Sequence, residues 1–164
     1  MPILDPHSLE FFSRSPAQTR RLGIRLGALI RPGDLVCLSG DLGAGKTTLV
    51  QGMAQGWGSL DAVSSPTFVI CNEYRRPDHQ VLYHLDAYRL SGPSEAVELD
   101  LDRMLDTGAM VVEWAERIQV VLPPTRLWMK LRYIAEEQRG MVLLPEGNHY
   151  EKIVTQFRRQ SFGG

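Results

Sequence analysis

The residues best suited to chemistry lie close together, between positions 40 and 48. Gly40, Gly45, Lys46 and Thr47 keep the spacing Gly-x-x-x-x-Gly-Lys-Thr, with a further glycine at Gly43. That spacing is the Walker A, or P-loop, pattern, whose chemistry is the cradling of a polyphosphate. Glycines reach backbone angles closed to other residues and let the chain approach a ligand closely. The amides of Asp41, Leu42, Gly43, Ala44, Gly45, Lys46, Thr47 and Thr48 can then converge on phosphate oxygens. The positive end of the following helix stands behind them. Lys46 is expected to reach the β- and γ-phosphates as a mobile charge, and the Thr47 hydroxyl to hold Mg²⁺.

Such a site also needs an acidic group to complete the ion's shell and something to position the attacking water. Two carboxylates stand at the ends of apolar runs: Glu113 after Met110-Val-Val112, and Asp86 after Val81 to Leu85. In open α/β sheets ligands collect at the carboxyl ends of the strands, which makes both of them candidates. Mg²⁺ prefers few carboxylates and several waters, so one direct contact and one through water suffice. Which acid makes which contact stays open. Glu113 could instead start a helix, and Asp86 could fix a local turn. Ser65-Pro-Thr67-Phe follows the P-loop helix, and its Thr67 hydroxyl either touches Mg²⁺ or the terminal phosphate, or caps its own turn. His84 is read as a satisfied sheet histidine in preference to a base. Trp114 either packs beside the nucleotide or fills the core, and Arg89 and Arg117 are candidates to neutralise transition-state charge. No Asn-Lys-x-Asp segment occurs, so adenine is the default base.

These groups demand a strand, a loop and a helix in that order. Leu35 to Leu38 reads as a buried strand, and after the loop Leu49/Met53 and Val50/Ala54 repeat at helical spacing. Residues 8–13 predict a short edge strand. Ser15-Pro16-Ala-Gln18 predicts a capped helix start, with Leu22, Leu26, Leu29 and Ile30 on one face and Pro32-Gly33 as the stop. Arg20, Arg21 and Arg25 are its solvated side. Val69 to Tyr74 and Val81 to Tyr88 predict a hairpin around a polar turn, so the sheet is expected to be mixed. Pro93 opens an expected helix with Val97, Leu101, Met104 and Leu105 on one face and an acidic remainder. Leu127 to Tyr133 and Gly140 to Leu144 predict a last antiparallel pair around Glu136 to Arg139. From Asn148 a helix is expected, with Tyr150, Ile153, Val154 and Phe157 in register and a frayed end from Arg158. The fold class expected is α/β, a three-layer P-loop NTPase fold whose mixed central sheet is flanked by helices.

The 164 residues are most simply one domain, residues 1–164, with 148–164 a C-terminal helix and tail. Net charge is −1, so no global basic field draws nucleic acid or an anionic membrane. The apolar runs are too short to span a bilayer, and the first residues lack a signal-peptide pattern. Cys37 and Cys71 stand far apart with no second thiol beside either, which suggests a reduced, cytoplasmic protein with no disulfide and no zinc site.

Four blocks in order carry a family resemblance: Gly40-Asp-Leu-Gly-Ala-Gly-Lys-Thr-Thr48, Ser65-Pro-Thr-Phe68, His84-Leu-Asp-Ala-Tyr-Arg89 and Val112-Glu-Trp-Ala-Glu-Arg117. With them the chain resembles the TsaE (formerly YjeE) family, small bacterial ATPases of tRNA threonylcarbamoyladenosine (t6A) synthesis. The resemblance spans about residues 8 to 146. It implies ATP/ADP and Mg²⁺ as cofactors, with Lys46 on phosphate and Thr47 with Glu113 on the ion. It further implies that Asp86 supports hydrolysis, that Ser65 to Phe68 acts as a switch-like loop, and that Trp114 lies near the nucleotide. The partners implied are TsaD, which transfers the carbamoyl group to adenosine 37 of tRNA, and TsaB. ATP turnover is then expected to reset that complex, touching tRNA only through it. Two other readings compete. One is a nucleotide-gated binding subunit with negligible hydrolysis; the other is a small-metabolite kinase, against which the absence of an arginine-rich lid after residue 89 counts.

Overall fold

The computed structural model describes residues 6–41, 43–61 and 71–163. Leu42, Ser65, Thr67 and the first part of the expected strand from Val69 lie outside the described residues.

Among the described residues seven strands form one sheet. They are β1 (Leu9–Ser13), β2 (Leu35–Gly40), β3 (Cys71–Arg75), β4 (Val81–Asp86), β5 (Gly108–Glu113), β6 (Arg126–Ala135) and β7 (Gln138–Glu146). Their order is β1-β7-β6-β2-β5-β4-β3. The centre is parallel, β6-β2-β5-β4, and the β6–β7, β7–β1 and β4–β3 pairs are antiparallel, so the sheet is mixed. Central parallel strands are covered on both faces and read as continuous apolar runs. Leu35 to Leu38 and Ala109 to Val112 are such runs, each residue buried.

Alternation along these strands divides the core in two. Val36, Leu38, Leu82, Ala109, Val111, Leu127 and Met129 face one way. They pack under α1 (Pro16–Leu29), α2 (Lys46–Trp57) and α5 (Asn148–Phe162), through Leu22, Leu26, Leu49, Val50, Met53, Ile153 and Phe157. Leu35, Cys37, Leu85, Met110, Val112 and Trp128 face the other way, beneath α3 (Pro93–Val97), α4 (Leu101–Thr107) and three short 3-10 turns.

Helix α1 starts as its sequence predicts. Ser15 Oγ accepts from Gln18 N–H at 3.1 Å, while Gln18 Oε1 reaches back one residue further, to Arg14 N–H at 2.8 Å. Three expectations are corrected. The acidic segment after Pro93 is two short helices, because Asp100 takes a left-handed φ of 57° and breaks the register. Val97 consequently lies 62% exposed, while Leu101 and Met104 are buried. The strand from Val81 stops at Asp86, whose carboxylate accepts from Tyr88 N–H and opens the 3-10 turn Ala87–Arg89. The C-terminal helix does not fray at Arg158: α5 runs to Phe162, whose ring lies 5.5 Å from Phe11 and 6.2 Å from Phe157.

The closest helix contact fixes the P-loop helix. Gly23 and Gly27 on α1 meet Gly52 and Gly56 on α2. A Cβ on Gly27 would stand 2.1 Å from Met53 O, and one on Gly56 would stand 2.0 Å from Ile24 O. In an exposed helix interior, Gly→Ala would stabilise by about 1 kcal/mol. Here overpacking against backbone outweighs that gain. Gly27→Ala is therefore expected to destabilise the protein by about 1–3 kcal/mol, read as a lowered midpoint in urea unfolding; a raised midpoint would contradict the close packing.

Candidate functional site

The loop after β2 turns under the constraints its glycines relieve. Gly43 and Gly45 take φ values of 75° and 95°, in the left-handed region open to glycine. Ala44 N–H closes the turn on Asp41 O at 3.1 Å, and Ala44 is wholly buried. Gly45 is the N-cap of α2 and supplies no capping side chain. The first amides of α2 thus keep their donors for an anion, with the helix dipole aligned behind them.

Lys46 opens α2 and is buried to 7% exposure. Its Nζ donates to Gly40 O at 2.7 Å and to Asp41 O at 3.4 Å, and lies 3.8 Å from the centre of the Trp114 ring. Burial pulls the Lys46 ammonium below its ordinary value, while Glu113, then Glu116, Asp41 and Asp86, pull it back up. The Thr47 side chain lies on the exposed side of the same turn.

Register brings the acids to the loop. Leu38 of β2 pairs with Glu113 of β5, and Glu113 pairs with Asp86 of β4. Both carboxylates therefore stand at the carboxyl ends of parallel strands, Glu113 on the strand beside the one that leads into the loop and Asp86 one strand further out. Glu113 is buried to 7% exposure, and its Oε2 is 2.5 Å from His84 Nε2. His84 Nδ1 is in turn 2.9 Å from the Tyr74 hydroxyl, so this histidine is satisfied within the sheet, as read from the sequence. Asp86 holds its turn through Oδ1 and stands 3.8 Å from Arg89 Nε through Oδ2. Trp114 takes a left-handed φ of 57° and stacks on Tyr88, with ring centres 5.1 Å apart. It packs against the core, the second of its two expected settings, and its ring also faces Lys46. Arg117 is tied down, donating Nη2–H to Leu90 O at 3.0 Å.

The set suits a hard cation. One hydroxyl and two carboxylates offer oxygen ligands of the kind Mg²⁺ takes. Among the described residues no group of three His, Cys, Asp or Glu stands together that could hold a metal ion by itself.

The sequence reading missed Arg139. The β6–β7 hairpin continues past the end of β2, and Arg139 Nε donates to Gly43 O at 3.0 Å. Its guanidinium also donates to Ala135 O and Gln138 O and lies over the Tyr133 ring. With Glu137, Pro16 and Thr19 it lines a small pocket against Gly45 and Thr48. No local signal marks it, because the contact spans 96 residues. A second cavity, of about 640 Å³, lies away from these strand ends, between the end of α1 and α5, lined by Leu29, Arg31, His149, Lys152 and Arg159.

Comparison with known proteins gives the family and the fold. The family model described as "Threonylcarbamoyl adenosine biosynthesis protein TsaE" matches residues 13–141. The TsaE protein of Bacillus subtilis is 36% identical over 151 residues, covering 92% of this chain and 94% of its own. That of Streptomyces coelicolor is 50% identical over 114 residues, covering 68% and 77%. Among solved structures, Bacillus subtilis YdiB superposes with a TM-score of 0.76 at 33% identity, covering 93% of this chain and 95% of that one. The fold is that of the P-loop NTPases, and the chain belongs to the TsaE family.

Proposed function

We infer that this chain binds ATP with Mg²⁺ and hydrolyses it to ADP and phosphate in the service of tRNA t6A formation, acting with TsaD and TsaB in the cytoplasm and resetting their complex. One observation carries the reading: a glycine loop and an uncapped helix N-terminus open beside two carboxylates on neighbouring parallel strands. The relatives' shared name, tRNA threonylcarbamoyladenosine biosynthesis protein TsaE, supports the pathway.

In this reading the amides at 41–48 hold the phosphates, Lys46 swings from Gly40 O onto the β- and γ-oxygens, and Thr47 and Glu113 hold the ion. The ion's chemistry is to neutralise charge on the bridging and terminal oxygens. Asp86 orients the water that attacks the γ-phosphorus as the bond to the ADP oxygen breaks. The Arg139 guanidinium steadies Gly43 from the edge of the cradle. Ser65 and Thr67 act as the switch-like loop, and Trp114 guards the Lys46 ammonium. Arg117 is held by Leu90 O, Arg139 by Gly43 O, and Arg89 stands against Asp86, so each of these three guanidiniums is already engaged within the protein. Turnover by the isolated chain is accordingly slow, about 10⁻³ of a finger-assisted rate.

Phosphate-release assays distinguish the readings. A partner-controlled ATPase releases phosphate slowly alone and changes rate when the TsaB–TsaD complex is added; a kinase labels a small acceptor and ignores those proteins. Lys46→Ala is expected to abolish nucleotide-dependent function. Glu113→Ala is expected to leave Mg²⁺-free nucleotide binding in place while removing the gain that Mg²⁺ confers; unchanged Mg²⁺ dependence would sink the metal assignment. Arg139→Ala should weaken nucleotide binding roughly tenfold, the worth of one charge-assisted hydrogen bond, measured by fluorescence titration with a labelled ADP.

A further inference from the structure

Three polar side chains cross the sheet in a diagonal line. Tyr74 on β3, His84 on β4 and Glu113 on β5 all point to the face that α1 and α2 cover, where neighbouring positions are Leu82, Ala109 and Val111. His84 stands opposite Asn72 and Val111, so Tyr74 and Glu113 are each its diagonal neighbour, two residues along. Diagonal neighbours lie about 7–8 Å apart at Cα, within reach of long side chains. The contacts are made: Tyr74 Oη to His84 Nδ1 at 2.9 Å and His84 Nε2 to Glu113 Oε2 at 2.5 Å.

Burial decides the direction of these bonds. His84 is 2% exposed and Tyr74 is 3% exposed. The Tyr74 hydroxyl is pushed up to about 12 by burial, with Glu113 adding to it, so it keeps its proton. The chain that satisfies every group runs Tyr74 Oη–H to Nδ1, then Nε2–H to Glu113 Oε2. Among the described residues, Glu113 Oε1 accepts no hydrogen bond, and Glu113 itself pairs with Leu38 at the end of the strand that leads into the loop.

We propose that Tyr74 and His84 are positioning residues for Glu113: the relay fixes the tautomer of His84, clamps one carboxylate oxygen and presents the other to a divalent cation at the P-loop. This rests on the assignment of Glu113 to Mg²⁺ above. A carboxylate held by a buried second partner loses less freedom on ligating an ion than one that must be ordered at that moment. Substitution of such outer partners costs about 10–100-fold in metal affinity.

The test is the Mg²⁺ requirement of labelled-ADP binding by the full chain, beside the same binding in EDTA. His84→Ala is expected to raise the Mg²⁺ concentration needed by about 10-fold or more, with binding in EDTA unmoved. His84→Gln, which keeps an N–H at similar reach, restores most of the loss. Tyr74→Phe, which keeps the buried ring and so serves if His84→Ala does not fold, shifts the requirement in the same direction by less. Nitrogen-15 NMR of the wild-type protein should show His84 protonated at Nε2 with Nδ1 bare; a proton on Nδ1 overturns the relay. If Glu113→Ala raises the Mg²⁺ requirement while His84→Ala and Tyr74→Phe leave it unmoved, the positioning role is wrong and the metal assignment stands. If Glu113→Ala leaves it unmoved too, both fall.

Discussion

The parallel pairing of β2 with β5 is the constraint on which the rest of the site depends. It sets Leu38 beside Glu113, so the strand that launches the glycine loop runs next to the strand that delivers a carboxylate. Pairing of β5 with β4 then sets Asp86 beside Glu113. A register slip of one residue would turn Glu113 to the opposite face, against Met110, Val112 and Cys37. A buried carboxylate without a partner is costly, so that slipped arrangement is penalised by the charge itself. In the observed register the same charge finds His84 at 2.5 Å and the Lys46 ammonium within its field. The residue proposed for chemistry is thus also one that specifies the sheet.

The other fixed distance lies between helices. Glycines at 23, 27, 52 and 56 allow α1 and α2 to touch backbone to backbone, closer than ordinary ridge-and-groove packing. That contact orients the N-terminus of α2 and also carries Pro16 and Thr19, at the start of α1, to the edge of the cradle. From the opposite side β6 and β7 run past the end of β2, and Gly40 admits them because Leu131 O occupies the space a Cβ would need. Loop geometry is therefore held from three directions, by α1, by the hairpin through Arg139, and by the sheet.

Legibility followed the range of the interactions. The P-loop, the strand before it and the helix after it were readable because spacing, glycine conformations and apolar periodicity are local. The positions of Glu113 and Asp86 at strand ends were readable because an acid ending an apolar strand is also a local pattern. The break at Asp100 was not, since a left-handed aspartate leaves no trace in hydrophobic spacing, and Val97 fits the helical face in sequence while standing in solvent. Phe162 was misjudged for a related reason: its partners Phe11 and Phe157 come from the first strand and the helix's own interior. Arg139 and Tyr74 escaped notice because each earns its role only across strands, the first against Gly43 and the second through His84. Leu42, Ser65 and Thr67 lie outside the described residues, so their expected roles rest on sequence pattern and resemblance alone.

Charge balance around Lys46 links the fold to the order of events at the site. One ammonium, drawn down by burial, faces Glu113, Glu116, Asp41 and Asp86. Two carbonyls and an indole ring satisfy it locally. A bare polyphosphate entering here meets four carboxylates around the one lysine, offset by the amides of the loop and the dipole of α2. A divalent cation reverses that balance, because it is attracted by the acids and the phosphates at once. On the proposed reading nucleotide and ion favour each other's binding, and by linkage that coupling is reciprocal. Whatever holds Glu113 in place would on that reading act on the nucleotide as well, through the ion, although it touches neither.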